Sequence, residues 1–442
     1  MIRRFVPVLL TALGVLTASL AAAQSAPAGA MPSKMALTIP EAIELAWQNN
    51  ITSVRQRNSL DDAIAKRREA RQTYLPSLSL DMRWNRVNTT QRFFINEQEL
   101  FTDQFYDLGL TLSQPIFDGL NYIHTPKART ADIRSNEQGV KGTRQQVAYD
   151  TKRVCYDLLK AQRLSDVQQR AVQRSEEQLE TSKARYELGS ASMSDFLKSK
   201  VQLGRDSLEL ITRLNNIEVG RATLNDYLGL PVDRATEIDV EFNRDPYPVP
   251  DGVALKAAVE THPNVLGAMY SKESASHTIG SAQSAMWPWI SAFASYSFSS
   301  GRFPESSDEF FELDNHRIGL NLNWTIFSGF STTSRVQQAK IARHTAEEEL
   351  AQSRRAVSLE ITTASLRVRE AFQRMRVSDT QVESAQEDLD IAQEKYNLGA
   401  ATILDILTAQ VAISEAETEL IQAGYDWVLS IAELERAMGG GD

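Results

Sequence analysis

Cysteine is almost missing from this chain: Cys155 is the only one in 442 residues. That excludes an intramolecular disulfide framework and a thiolate metal site. Set in the middle of a helical pattern, Cys155 reads as a small apolar side chain, with a reactive thiol as the alternative. The five histidines, at 124, 262, 277, 316 and 344, show no metal-ligand spacing. No phosphate-cradling glycine loop and no nucleophile elbow occurs either, so no enzyme activity, metal or cofactor is expected. Positive charge is in deficit, with 47 Lys and Arg against 57 Asp and Glu for a formal net charge of −10, which argues against a nucleic-acid partner. Proline is absent between Pro126 and Pro231 and again after Pro304, so nothing interrupts a helix in either stretch.

Long apolar runs are limited to the N-terminus. Arg3 and Arg4 precede the run Phe5 to Leu20, and Ala21, Ala22 and Ala23 follow it. A charged start, an apolar middle and a small-residue cleavage site read as a cleaved secretory signal over residues 1–23. The alternative, a membrane anchor, suffers from a run too short and too rich in Ala, Thr and Ser. Removing its two arginines takes the formal net charge from −10 to −12, leaving an acidic exported protein. No Cys follows, so lipid attachment is not expected. Residues 24–36 are rich in Ala, Pro, Ser and Met and read as a flexible leader.

What the chain does have is a duplication. A polar, heptad-patterned run from about His124 to Gly189 recurs from about Ser334 to Gly399 at a constant offset of 210. In the second copy Ile361, Val368, Met375, Val382, Leu389 and Tyr396 form one apolar seam, and Leu350, Val357, Ala364 and Ala371 another. The first copy repeats both, as Leu158, Val172, Leu179 and Tyr186 and as Val140, Val147, Val154 and Ala161, with Ser165 as the weak member. A sustained seven-residue repeat means helices that supercoil against neighbours. About 65 unbroken helical residues would reach roughly 100 Å. A half-length helix from about Leu37, with Thr38 as N-cap, to Tyr74 precedes the first long helix. Its counterpart runs from about Gly252 to Trp287, and Pro76 and Pro288 end the two.

Past each proline the period changes to two. Leu78, Leu80, Met82 and Trp84 alternate with polar residues, as do Tyr106, Leu108, Leu110 and Leu112. In the second copy the alternating sets are Ile290, Ala292, Ala294, Tyr296 and Phe298, apart from Phe293, and then Ile318, Leu320, Leu322, Trp324 and Ile326. Four strands of about 10 residues, apolar on one face, match transmembrane β-strands. The polar segments 86–104 and 299–315 would lie outside the membrane. Four strands cannot close a barrel and lipid tolerates no open sheet edge, so protomers must share one. A dimer would give 8 strands, a trimer 12 and a tetramer 16. The alternative is a soluble four-stranded sheet with one face packed on helices.

The duplicated Tyr-x-x-Gly followed six residues later by Asp-x-Leu, at Tyr186, Gly189, Asp195 and Leu197 and at Tyr396, Gly399, Asp405 and Leu407, resembles the outer-membrane efflux protein family, the TolC-like channels. The phrase Leu-Gly-Leu-x-Leu-x-x-x-Ile-Phe-x-Gly at 108–119, with a variant at 318–329, is similar to the family's strand-to-helix junction. The resemblance covers nearly all of the chain after residue 23. It implies a mainly α protein with a small transmembrane β part. As a homotrimer it would form a 12-stranded barrel in outer-membrane lipid on a periplasmic α-helical barrel. It also implies a periplasmic adaptor protein and an inner-membrane transporter as partners, for efflux or type I secretion. A secreted coiled-coil scaffold without channel activity is the competing function.

The expected organisation is then a first repeat over 37–229, an equatorial linker over 230–251, a second repeat over 252–439 and a tail over 440–442. In the first repeat we expect strands at about 77–90 and 104–117, a long helix at about 122–187 and a tip at about 188–192. The second repeats this with strands at about 290–300 and 316–327, a long helix at about 332–397 and a tip at about 398–402. Gly189 and Gly399 read as hairpin turns, with Ser192 or Thr402 starting the return helix. Tyr186 and Tyr396 read as seam packing or as a latch, and Leu197 and Leu407 as core or adaptor contact. Asp195 and Asp405 sit where an acid favours the helix dipole. Repeated around an axis, they are also candidates for a pore constriction whose like charges bind cations and raise one another's pKa. In the family, the closed entrance is held by an Arg where this chain has Ala401, and a second Asp stands where it has Thr408. The latch is therefore expected to differ.

Overall fold

The computed structural model describes residues 34–95, 98–238, 246–250, 252–300 and 314–440. The expected signal, residues 24–33 of the leader and residues 441–442 lie outside the described residues. The end of the leader differs from the expected flexible segment. Lys34–Leu37 form strand β1, paired in parallel with β4, Ala235–Ile238, in the linker between the repeats. Each strand supplies the hydrogen-bond partners that the other's backbone requires.

The duplication is written into the backbone. Gly119, Gly189 and Gly229 have φ of 69°, 73° and 70°, and their counterparts Gly329, Gly399 and Gly439 have 60°, 76° and 76°. Leu120 and Phe330, the next residues at the first of these pairs, are also left-handed. Between these turns run two long helices of 67 residues, α3 (Asn121–Glu187) and α7 (Ser331–Asn397). Two return helices of 35 residues follow them, α4 (Met193–Tyr227) and α8 (Ile403–Ala437).

Each half-length helix is broken in two, contrary to the single helix the sequence suggests. The first gives α1 (Ile39–Asn49) and α2 (Ile51–Gln72), and the second α5 (Gly252–Thr261) and α6 (Pro263–Ser284). Asn50 is extended at the first break, and its Oδ1 accepts from Thr52 N at 2.9 Å to start α2 afresh. His262 does the same at the second, its Nδ1 accepting from Asn264 N at 3.2 Å. The break serves a joint. Asn49 and Asn50 turn their Nδ2 groups onto the carbonyls of Leu228 and Tyr227, at 3.3 and 3.2 Å, and so cap the end of α4. Half-length helices thus meet end to end beside each long helix.

The helices form a wall four wide. Near the sheet the order is α2, α3, α6, α7, and toward the tips it is α4, α3, α8, α7. In the second repeat the heptad residues Leu350, Val357, Ile361, Ala364, Val368, Ala371, Met375, Leu389 and Tyr396 are buried and Val382 is half-buried. The first repeat departs from its pattern below Leu158. Val172 and Leu179 are only half-buried and Tyr186 is exposed, while Ala171, Ser175, Gln178 and Ser182 take the buried positions. Around mid-length one core gathers Trp427, Leu434, Val265 and Ile361, and another Leu158, Leu224, Leu228 and Cys155. Cys155 is fully buried and burial pushes its thiol up to about 12, so it is an apolar filler.

The sheet is antiparallel throughout, in the order β2 (Ser77–Ile95), β3 (Gln98–Asp118), β5 (Trp289–Ser300), β6 (Asp314–Asn323). Its register puts Leu78, Leu112, Ala294 and Ile318 in one row, and Ser79, Thr111, Ser295 and Arg317 in the next row on the opposite face. The alternation expected from the sequence therefore resolves into one apolar and one polar face. Phe293, the exception, lies on the polar face over Gly319, where a Cβ would come within 3.0 Å of its ring. Two boundaries differ. The described parts of segment 86–104 continue the ladder past a register shift between Arg86 and Gln91, so the strands run further than expected. Strand β6 stops at Asn323, short of 327, where Phe327 and Phe330 pack edge to face at 5.6 Å in the turn into α7. Most of segment 299–315 lies outside the described residues. No described helix is long and apolar enough to cross a membrane.

Candidate functional site at the helical tips

Both hairpins end in the same turn. Gly189 N donates to Tyr186 O at 2.9 Å and Ser190 N to Arg185 O at 2.8 Å. In the second repeat Gly399 N donates to Tyr396 O at 3.1 Å and Ala400 N to Lys395 O at 2.8 Å. These crossed bonds use the carbonyls left over at a helix C-terminus and require a left-handed residue, which glycine supplies without strain.

The return helices then open on capping boxes. Ser192 N donates to Asp195 Oδ2 at 3.3 Å while Asp195 N donates to Ser192 Oγ at 3.2 Å. Thr402 donates to Asp405 Oδ2 from its backbone N at 2.7 Å and from Oγ1 at 2.8 Å. Both acids are thus committed to helix starts. Within the chain, the Thr402 bonds hold the Asp405 carboxyl below the usual carboxylate range, the reverse of the rise expected for a ring of like charges.

The paired motif residues do not occupy equivalent surroundings. Tyr396 is 7% exposed in a cluster with Leu389, Ile403, Ile406 and Leu407, whereas Tyr186 is 43% exposed and stacks on Phe196 at 6.3 Å. Leu407 is buried; Leu197 is exposed. Within one chain, Tyr396 and Leu407 are packed in the seam while Tyr186 and Leu197 are exposed. The reason is position in the wall: α8 lies between α3 and α7, while α4 is an edge. Ala401 packs against the Tyr396 cluster.

One residue that the sequence reading missed links the two tips. Arg185, in the last turn of α3, donates from Nη1 to Tyr396 O at 3.1 Å and from Nη2 to Asn397 Oδ1 at 2.9 Å. Its guanidinium also lies 4.4 Å from the centroid of the Tyr396 ring. In sequence Arg185 looks like an ordinary cation near a helix C-terminus, and its place directly before Tyr186 was the only available signal.

The sequence model of the outer membrane efflux proteins matches residues 42–230 and 254–440, so each structural repeat carries one copy of the match. The chain belongs to the outer membrane efflux protein family. Among its relatives, the outer membrane protein TolC of Vibrio cholerae is 22% identical over 391 residues, covering 87% of this chain and 86% of TolC. TolC of Escherichia coli K12 is 22% identical over 392 residues, covering 86% and 77%. A crystal structure of CusC shares the fold with a TM-score of 0.79 at 15% identity, covering 91% of this chain and 92% of CusC. An outer membrane efflux protein is a channel component in the outer membrane with a large periplasmic part, and the two faces of the sheet accord with that setting.

Proposed function

We propose that three copies of this chain form one exit duct, pooling their strands into a 12-stranded barrel and their helices into a periplasmic tunnel. The observation that carries this is the sheet itself: four strands whose outer members, β2 and β6, each pair with one neighbouring strand among the described residues, and an apolar face on which Leu80, Met82, Ile318 and Leu320 are all exposed. Free backbone edges are not tolerated in lipid, so β2 of one copy pairs with β6 of the next. The edge helices α4 and α7 agree, since each leaves large apolar side chains uncovered, among them Leu208 and Ile211 on α4 and Leu359 and Leu366 on α7.

The duct serves a tripartite efflux or type I secretion system, receiving substrate from an inner-membrane transporter through a periplasmic adaptor that docks at the tips. Leu188 and Leu398, more than three-quarters exposed at the two apices, together with Tyr186, Leu197 and the turns at Gly189 and Gly399, offer that docking surface. Asp405 and Asp195 line the narrow end. Arg185 acts as the latch in place of the Arg that Ala401 lacks, because it ties the first tip to the second.

Cysteines introduced one on β2 and one on β6 test the assembly, with buried Cys155 as a silent background. Oxidation in detergent should give a covalent trimer, and purified protein should conduct in planar bilayers. A monodisperse single subunit without detergent and without conductance would overturn the reading.

A further inference from the structure

Near the tips, four residues that each carry a buried polar atom with no hydrogen-bond partner among the described residues line one cavity of about 160 Å³. The atoms are Arg174 Nε and Gln178 Nε2 from α3, Tyr396 Oη from α7 and Gln410 Oε1 from α8. Gln178, Tyr396 and Gln410 are 8%, 7% and 6% exposed, so these groups are removed from bulk solvent. Leaving a buried polar group unpaired is costly, and four at one place require a common partner.

The chemistry of the lining selects that partner. A cation would find two uncharged oxygens facing an arginine N–H, and the one lining carboxylate, Glu177, is exposed to solvent, while the Arg174 guanidinium is itself bonded to Ser414 at 2.9 Å and paired with Glu417 at 3.5 Å. An anion would meet the donors Arg174, Gln178 and Tyr396, but also the Gln410 carbonyl and the neighbouring Glu177. Rotating either amide exchanges a donor for an acceptor and leaves the mixture mixed. Only a neutral molecule that both donates and accepts satisfies all four atoms.

We propose that this cavity is a binding site for a cluster of ordered water molecules, which bridges the two repeats. The contact of α3 with α7 and α8 at this level is thereby wet, whereas the contact between α7 and α8 is dry, closed by Leu389, Ile403 and Ile406. Water can re-form its bonds after a small displacement and interlocked side chains cannot, so the seam between repeats is the softer of the two. The inference concerns the chain itself and stands apart from the exit-duct reading.

A high-resolution structure of the full chain in detergent, with chloride exchanged for bromide, is the test. The expected result is separate water maxima within hydrogen-bond distance of Gln178, Tyr396 and Gln410, with no anomalous bromide signal. A bromide peak in the cavity would overturn the proposal in favour of an anion site, and a direct bond between the Gln178 and Gln410 amides in a closed cavity would overturn it outright. Gln410→Leu adds a second reading: the water site predicts a Tm lower by roughly 2–4 °C, and an unchanged or raised Tm counts against it.

Discussion

Arg185 lies across Tyr396, with its guanidinium 4.4 Å from the ring centroid and its Nη1 donating to the tyrosine's own carbonyl at 3.1 Å. The two residues stand at equivalent ends of the two repeats, so this contact fastens one hairpin to the other. A fork of donors, a flat cation and a ring face are used together, which lysine cannot reproduce.

Removal of the Arg185 side chain should loosen the tips. A cation–π contact of about 0.5–1 kcal/mol and a charged hydrogen bond of about 1.5–3 kcal/mol suggest a loss near 2 kcal/mol, or about 30-fold in the closed-to-open ratio. Single-channel recording of Arg185→Ala should show larger and more frequent openings, with Arg185→Lys in between. Unchanged recordings from both variants would remove Arg185 from the latch.

Asp405 has two separable roles. Asp405→Asn retains an acceptor for Thr402 but removes the charge, so block by divalent cations should weaken while the fold persists. Because the carboxyl is held below its ordinary value of 3.8, its contribution to stability is complete above that pH and is lost as pH falls through the lowered pKa. Thermal melts of wild type and Asp405→Asn should therefore draw together as pH falls below 3.8 toward the lowered pKa, and block identical in both proteins would exclude a constriction at this residue.

At the second helix break His262 is 4% exposed, and burial lowers its pKa. Its Nδ1 must stay unprotonated to accept from Asn264 N. The unfolded chain binds the proton more readily, so stability is complete above pH 6.5 and declines as pH falls from there toward the lowered folded value. Asn50 fills the same role in the first repeat. Calorimetry between pH 7.5 and 5 should accordingly find a smaller pH dependence in His262→Asn, with the cap preserved.

Gly399 has no neighbour within 4 Å of a Cβ position, so Gly399→Ala isolates the backbone term. At φ of 76° the alanine should cost about 1–2 kcal/mol, and Gly399→Asn less. Denaturant titration of the two variants measures the difference. Equal stability of wild type and Gly399→Ala would mean that the turn does not need the left-handed conformation.

The two faces of the sheet make opposite predictions for neighbouring residues. Leu110→Arg places a charge on the apolar face and should cost about 2–4 kcal/mol per copy if it lies near the bilayer midplane. Thr111→Arg, on the polar face, should assemble normally and alter conductance. Trimer yield after membrane extraction separates them, and equal yields would contradict the lipid-facing assignment.

Features set by local rules were legible in the sequence. The strand alternation, the heptads and the glycine turns each depend on residues a few positions apart, where a period of two, a period of seven or a required positive φ leaves its mark directly, and the offset of 210 shows by comparison of the two copies. Pro263, directly after His262, was a local signal for the second helix break that the helical pattern around it masked. The break at Asn50 was not legible, because the segment is helical in pattern and the interruption answers to the end of another helix. The same holds for the unequal surroundings of Tyr186 and Tyr396, whose motifs match while their places in the wall differ. The crossing of Arg185 onto Tyr396, 211 residues away, and the meeting of Gln178 with Gln410 exist only once α3 and α8 lie side by side. Periodicity tells each helix which face to bury, but the neighbour that covers it is selected by the packing of the whole wall.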